Sequence, residues 1–158
     1  MKRTMVSPAY FWISTILPLL LLLISAAVLA VRYPALPAEI PDHFTAAGVP
    51  DGWTPKSTLW ADLGIGLALV IGLLVLGFFP RAWRLRGVGR NVDPALVLRC
   101  AGGLIADLRI ALAVIFAAQT AWAVFFGTGP QWANDLIHML PLAAPVLRLV
   151  LRLYVLKR

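Results

Sequence analysis

A single cysteine, Cys100, stands in the whole chain, so no internal disulfide framework is available to it. Charge is scarce too. Asp, Glu, Lys and Arg make up 13% of the residues, about half the share of a water-soluble domain. The sequence has no G-x-S-x-G, no P-loop, no H-E-x-x-H and no C-x-x-C. The usual signatures of nucleophilic, phosphate-cradling, zinc-peptidase and dithiol chemistry are therefore missing, and Cys100 has no histidine near it in sequence. We expect no enzymatic activity and no cofactor.

Apolar residues are what the chain has in excess, at 61% against about 45–50% in soluble proteins. They gather into runs long enough to cross a bilayer, which takes about 20 residues. The expected fold class is an all-α membrane protein: one membrane domain over 1–158 with four transmembrane helices. The helices are placed at about 10–31, 59–80, 94–126 and 136–156. An extracytoplasmic loop at 32–57, a basic inner loop at 81–93 and an outer loop at 127–135 connect them. The first run follows Lys2 and Arg3 and passes small residues at Ser25-Ala26-Ala27. It is longer than the about 7–15 residues of a signal-peptide core, so we read it as a retained helix. Tyr10, Phe11 and Trp12 sit where an interfacial aromatic belt belongs, and Pro18 is expected to bend the helix near Ser14.

Charge placement gives an orientation. Lys2, Arg3, Arg81, Arg84, Arg86, Arg90, Arg99, Lys157 and Arg158 fall on one side, and only Arg32 and Lys56 on the other. Cytoplasmic loops collect Lys and Arg, so both termini are expected in the cytoplasm and the 32–57 loop outside. The net charge of +7 is explained beside spans, and no nucleic-acid partner is implied. The segment from Arg81 to Arg90 reads as a positive-inside anchor, and the same charges suit anionic lipid headgroups. Asp93-Pro94 reads as a helix start, an acid at the cap and proline in the first turn.

The loop at 32–57 is the densest pattern in the chain. Five prolines (Pro34, Pro37, Pro41, Pro50, Pro55) exclude a long helix. Ile40, Phe44 and Trp53 give it apolar anchors that a disordered linker lacks. Pro50-Asp51-Gly52 reads as a tight turn, flanked by Ile40–Phe44 and Gly52–Thr54 as a short hairpin. Thr54-Pro55 reads as the start of the second helix.

Leu36-Pro37, Ile40-Pro41, His43-Phe44, Gly48, Pro50-Asp51-Gly52-Trp53 and Lys56 together resemble the signature of a bacterial membrane domain of unknown function. That domain forms the N-terminal part of the SdpI-like immunity proteins, which protect a producing cell from its own secreted peptide toxin. The resemblance covers roughly the first half of the chain. It implies a multi-pass protein of the bacterial cytoplasmic membrane, and an outer loop that meets a peptide toxin or another membrane protein through His43, Phe44, Asp51, Trp53 and Lys56.

Three other groups of residues are candidates. Asp107 and Arg109 lie inside the third span, and Arg148 and Arg152 inside the fourth. Charges in hydrocarbon are costly, so pairing is expected at matched depths, as a structural ion pair rather than an ion path. Gly64, Ala68 and Gly72 recur every four residues and form a helix-packing face, read as packing inside the bundle rather than as a dimer seam. His43, His138 and Asp135, with Glu39, Asp42 and Asp51 nearby, are weak candidates for a metal site. Their spacing matches no known motif, so no metal is expected.

The sequence thus supports a non-enzymatic binding, immunity or sensing module. The alternative is a structural accessory subunit of a larger membrane complex. A small transporter is disfavoured, because the spans lack the paired broken helices of an inverted repeat.

Overall fold

The computed structural model describes residues 6–79, 94–127 and 131–156. Its elements are α1 (Pro8–Arg32), a short 3-10 turn (Tyr33–Ala35), β1 (Glu39–Phe44), β2 (Pro50–Pro55), α2 (Thr58–Phe78), α3 (Pro94–Phe125) and α4 (Gln131–Leu156). The chain is mostly helical, with a small two-stranded sheet. Three helical segments, Pro8–Ala35, Thr58–Phe78 and Ala95–Phe125, are long and apolar enough to cross a membrane by length and composition. The fourth expected span, α4, is not among them. The basic stretch 81–90 and Asp93 lie outside the described residues, as do Lys2, Arg3, Lys157 and Arg158.

α1 begins two residues before the aromatic run. Ser7 caps it by accepting from the Tyr10 backbone N–H at 3.3 Å, and Pro8 occupies its first turn. Proline costs nothing there, because that N–H would have no partner anyway. The helix continues through Pro18 for 25 residues, about 37 Å.

Contacts between helix ends fix the arrangement. Phe11 meets Phe78 edge-on at one end of α1, and Tyr33 meets Trp60 at the other, so α1 and α2 run antiparallel. Arg32 lies over the Phe125 ring, while Tyr10 donates to Asp107, so α1 and α3 run parallel. α4 returns antiparallel, bringing Arg148 to Asp107. α3 packs against α1, α2 and α4 and is the central helix. Half of its apolar window is buried, against 22% for α1 and α2. Small residues make this proximity feasible: Gly102, Gly103, Ala106, Ala111, Ala113 and Ala117 are all buried. Because Tyr10 sits level with Asp107, the first three turns of α3 extend beyond the start of α1.

The Gly64, Ala68 and Gly72 face does not pack inside the bundle. All three residues are exposed, and a Cβ added at Gly64 or Gly72 would meet nothing within 4 Å. α2 turns the other face inward, with Leu59, Leu63, Gly66 and Val70 buried. Gly66 is the glycine in close contact: its added Cβ would lie 2.7 Å from the Phe116 ring and 3.1 Å from the Phe116 Cβ. The four-residue repeat was the more regular signal, but a single glycine opposite a large side chain sets the approach. Gly66→Ala is therefore expected to destabilise the bundle by about 1–3 kcal/mol through overpacking. Gly64→Ala should be neutral or gain up to about 1 kcal/mol of helix propensity. Thermal unfolding of the purified variants in detergent distinguishes the two, and equal midpoints would refute the assigned faces.

The hairpin closes elsewhere than at Pro50-Asp51-Gly52. The chain reverses at Thr45–Gly48, where the Gly48 N–H donates to the Thr45 carbonyl at 2.9 Å. Gly48 has φ +81°, the left-handed conformation glycine enters without a Cβ clash. A turn followed by a left-handed glycine is a common way to close a hairpin. Pro50, Asp51 and Gly52 are instead part of β2, paired antiparallel with β1. Gly52 stands opposite His43, and a Cβ there would fall 2.8 Å from the His43 Cβ and from Asp42 Oδ1. Its glycine serves close strand approach at an irregular register, not a turn. Thr54 and Pro55 also belong to β2, and α2 starts at Thr58 after Ser57.

Candidate functional site

Among the described residues, polar side chains gather on the hairpin and between the helices. The hairpin is held by a subset of its own signature. Ile40 is buried in the core cluster with Leu22, Leu29, Leu59 and Leu63, and Phe44 is buried as well. Burial of a side chain of this size contributes about 1.5–3 kcal/mol. Lys56 turns its ammonium back toward the end of α1. Its Nζ donates to the Tyr33 and Leu36 carbonyls, both at 3.0 Å, and lies 4.7 Å from the Tyr33 ring centroid. Phe44 and Lys56, expected to contact a partner, thus hold the cap in place.

The remaining three expected contact residues are exposed. Trp53 is 57% exposed beside Pro41 in the register. His43 and Asp51 pair across the strands, Nδ1 to Oδ1 at 2.5 Å. Val49, 60% exposed, extends the same end of the hairpin. The hydrogen bond that protonated His43 donates to Asp51 raises the His43 pKa above its ordinary value, helped by the charge of Asp51, opposed by desolvation, and helped further by the charge of Asp42. A raised pKa means that the folded form binds the proton more tightly than the unfolded one. The contribution of the pair is therefore complete below about pH 6.5 and is lost as pH rises through the folded value. A proton NMR titration should give a His43 midpoint above 6.5, and Asp51→Asn should bring it back down. An unchanged midpoint in that variant would show that the pair does not form.

The second group ties three helices together. Arg148 Nη1 donates to Asp107 Oδ1 at 2.5 Å and to the Tyr10 hydroxyl oxygen at 2.7 Å. The Tyr10 hydroxyl itself donates to Asp107 Oδ1. Asp107 is 7% exposed, whereas the Arg148 side chain is 48% exposed. Arg109 does not join this pair. It donates from Nη2 to Ser14 Oγ at 2.8 Å and from Nη1 to Thr15 Oγ1 at 3.1 Å, and lies over the Phe11 ring. Its Nε is buried with no hydrogen-bond partner among the described residues. The side chain of Arg152 lies outside the described residues. Tyr10, Ser14 and Thr15 were not expected in this group. Their signal was present: Tyr10 and Ser14 are four apart, continuing through Pro18 and Leu22 along the buried face of α1.

Asp135 and His138 sit near the start of α4. Among the described residues, no three His, Cys, Asp or Glu side chains come together as a metal site.

A family model for a domain of unknown function (DUF1648) matches residues 20–61. These residues run from the middle of α1 through the hairpin to the first turn of α2. No curated protein and no solved structure matches the chain.

Proposed function

We propose that this is a four-span, non-enzymatic protein of the bacterial cytoplasmic membrane, SdpI-like in kind, whose outward-facing hairpin recognises a peptide or protein. Its role in this reading is immunity or sensing. One observation carries the proposal. The residues that hold the hairpin (Ile40, Phe44, Gly52, Lys56) are distinct from those it displays (His43, Val49, Asp51, Trp53). The exposed Trp53 beside the His43–Asp51 pair offers a partner an apolar anchor and polar groups together.

The pattern of α4 supports a fourth span. Its 26 residues reach about 39 Å, more than the about 30 Å of a hydrocarbon core. Pro145 is buried and Arg148 faces Asp107, while Leu136, Met139, Leu140, Val146, Leu147, Val150 and Leu151 are exposed. A largely apolar outer face, with Arg148 turned to the buried Asp107, suits lipid. The excess of Lys and Arg at the opposite end from the hairpin favours cytoplasmic termini.

Orientation is tested in a Cys100→Ser background with single cysteines at Ala46 or Arg86. An impermeant maleimide on intact cells should label the first and spare the second; the reverse pattern ends the reading. Recognition is tested with a photo-crosslinking residue at 53 in native membranes. A discrete adduct, lost together with protection from the secreted peptide in Asp51→Ala, is expected. Full protection by Asp51→Ala and Trp53→Ala proteins would refute it.

The open Gly64, Ala68 and Gly72 face favours a second reading, an accessory subunit packed against another membrane protein. Ala68→Leu would then release a stoichiometric partner on purification from native membranes.

A further inference from the structure

The hairpin differs in charge from the rest of the chain. The protein carries 14 Lys and Arg against 7 Asp and Glu. None of those 14 lies between Glu39 and Pro55, while three of the seven acids do: Glu39, Asp42 and Asp51. All three acids are exposed. The nearest following cation, Lys56, points away into the carbonyls at the end of α1. The only basic group of the hairpin is His43, and it is held to Asp51.

The geometry also restricts how a partner can dock. A two-stranded sheet has free edges, which commonly invite a third strand. Here Pro41 interrupts β1, and Pro50 and Pro55 stand at the two ends of β2. Each removes a backbone donor, so strand addition is disfavoured on both edges. What remains available is the side-chain face, with Trp53 and Val49 as exposed apolar anchors. An indole face attracts a cation, most strongly where neighbouring acids add to the field.

We infer that the segment seated on this face is a short cationic stretch of a peptide, its basic side chains set against Glu39, Asp42 and Asp51 and its apolar ones against Trp53. The inference rests on the proposed recognition role of the hairpin and names the chemistry of its partner. An acidic face also repels the anionic lipid surface, which leaves the hairpin free for a soluble ligand.

The test uses the full chain in nanodiscs of phosphatidylcholine, with empty nanodiscs as control. Three fluorescein-labelled octapeptides are compared by anisotropy: alternating lysine and leucine, serine and leucine, and glutamate and leucine. The lysine peptide should bind best, weaken as salt is raised, and lose roughly fivefold or more in affinity in the Glu39→Gln/Asp42→Asn protein. Those two changes leave the His43–Asp51 pair in place. A His43 midpoint that stays above 6.5, lowered only by the lost charge of Asp42, reports that the hairpin remains folded. Trp53→Ala should weaken binding as well. Equal binding of the serine peptide, still dependent on Trp53, overturns the cationic class and leaves the recognition face standing. If no peptide binds above empty nanodiscs while the residue-53 cross-link still forms in native membranes, the cationic class alone falls. If neither occurs, both readings fall.

Discussion

Arg148→Met is expected to cost the folded protein about 3 kcal/mol, because it leaves the buried Asp107 carboxylate without its cation. Asp107→Asn should cost clearly less. The asymmetry follows from burial. Asp107 is 7% exposed between helices, and without Arg148 its remaining described donor is the Tyr10 hydroxyl. Arg148 is 48% exposed, so without Asp107 it can extend its charged head toward water, as long cationic side chains do. An asparagine at 107 also still accepts from Tyr10. The double variant Asp107→Leu/Arg148→Met should recover most of the loss, because apolar replacements leave no charge to satisfy. SDS-induced unfolding of the four proteins checks this as a double-mutant cycle. A neutral Arg148→Met would show that the tie between α3 and α4 does not form. The cycle also distinguishes structure from transport: a stable double variant that has lost an ion flux would restore the ion-path reading.

How much of this group was legible in the sequence depends on the residue. Charges in apolar runs stand out, so Asp107, Arg109, Arg148 and Arg152 were all visible. Counting depth from the connecting loop brought Asp107 near Arg148 or Arg152, and the structure places Arg148 against it. The role of Arg109 was not legible, because Ser14 and Thr15 are small hydroxyl residues of the kind that usually bond to their own helix. Both do so here, through the Phe11 carbonyl, while also accepting from Arg109. Tyr10 looked like an interfacial aromatic, and only the parallel run of α1 and α3 brings it to Asp107.

The helices were legible because an apolar run of about 20 residues has few alternatives. Their starts were less so, although Ser7-Pro8 is a clear cap signal. The hairpin strands are legible in the sequence, but its strongest turn signal lies about five residues beyond the turn the chain adopts at Thr45–Gly48. Pro-Asp-Gly is a strong turn tripeptide, and Thr45-Ala46-Ala47-Gly48 is bland until Gly48 adopts its left-handed φ. What decided was packing: Ile40 and Phe44 are both buried, Ile40 against the leucines of α1 and α2, and the residues between Phe44 and β2 remain to close the loop. The family match over residues 20–61 falls on this same unit, so its pattern reads in large part as the requirements of a hairpin seated on two helix ends.

Lys56→Met is the sharpest test of that view. Each charge-assisted bond from Nζ is worth about 1.5–3 kcal/mol, and the contact with the Tyr33 ring adds about 0.5–1 kcal/mol. Water can reach the Tyr33 and Leu36 carbonyls once the ammonium is gone, so the net loss should be about 2–3 kcal/mol. It should be local. The hairpin would open while α1, α2 and α3 remain packed, because Phe11–Phe78 and the Arg109 contacts lie at the opposite end. Hydrogen exchange should speed at the Lys56 amide, which donates to the Ala38 carbonyl, and at the Thr45 and Gly48 amides of the turn. Protease should cut within Thr45–Val49, and the bundle's unfolding midpoint should move little. If Lys56 instead contacted a ligand, the methionine variant would keep native exchange throughout the hairpin and lose only binding, and its assignment as a clamp would be wrong.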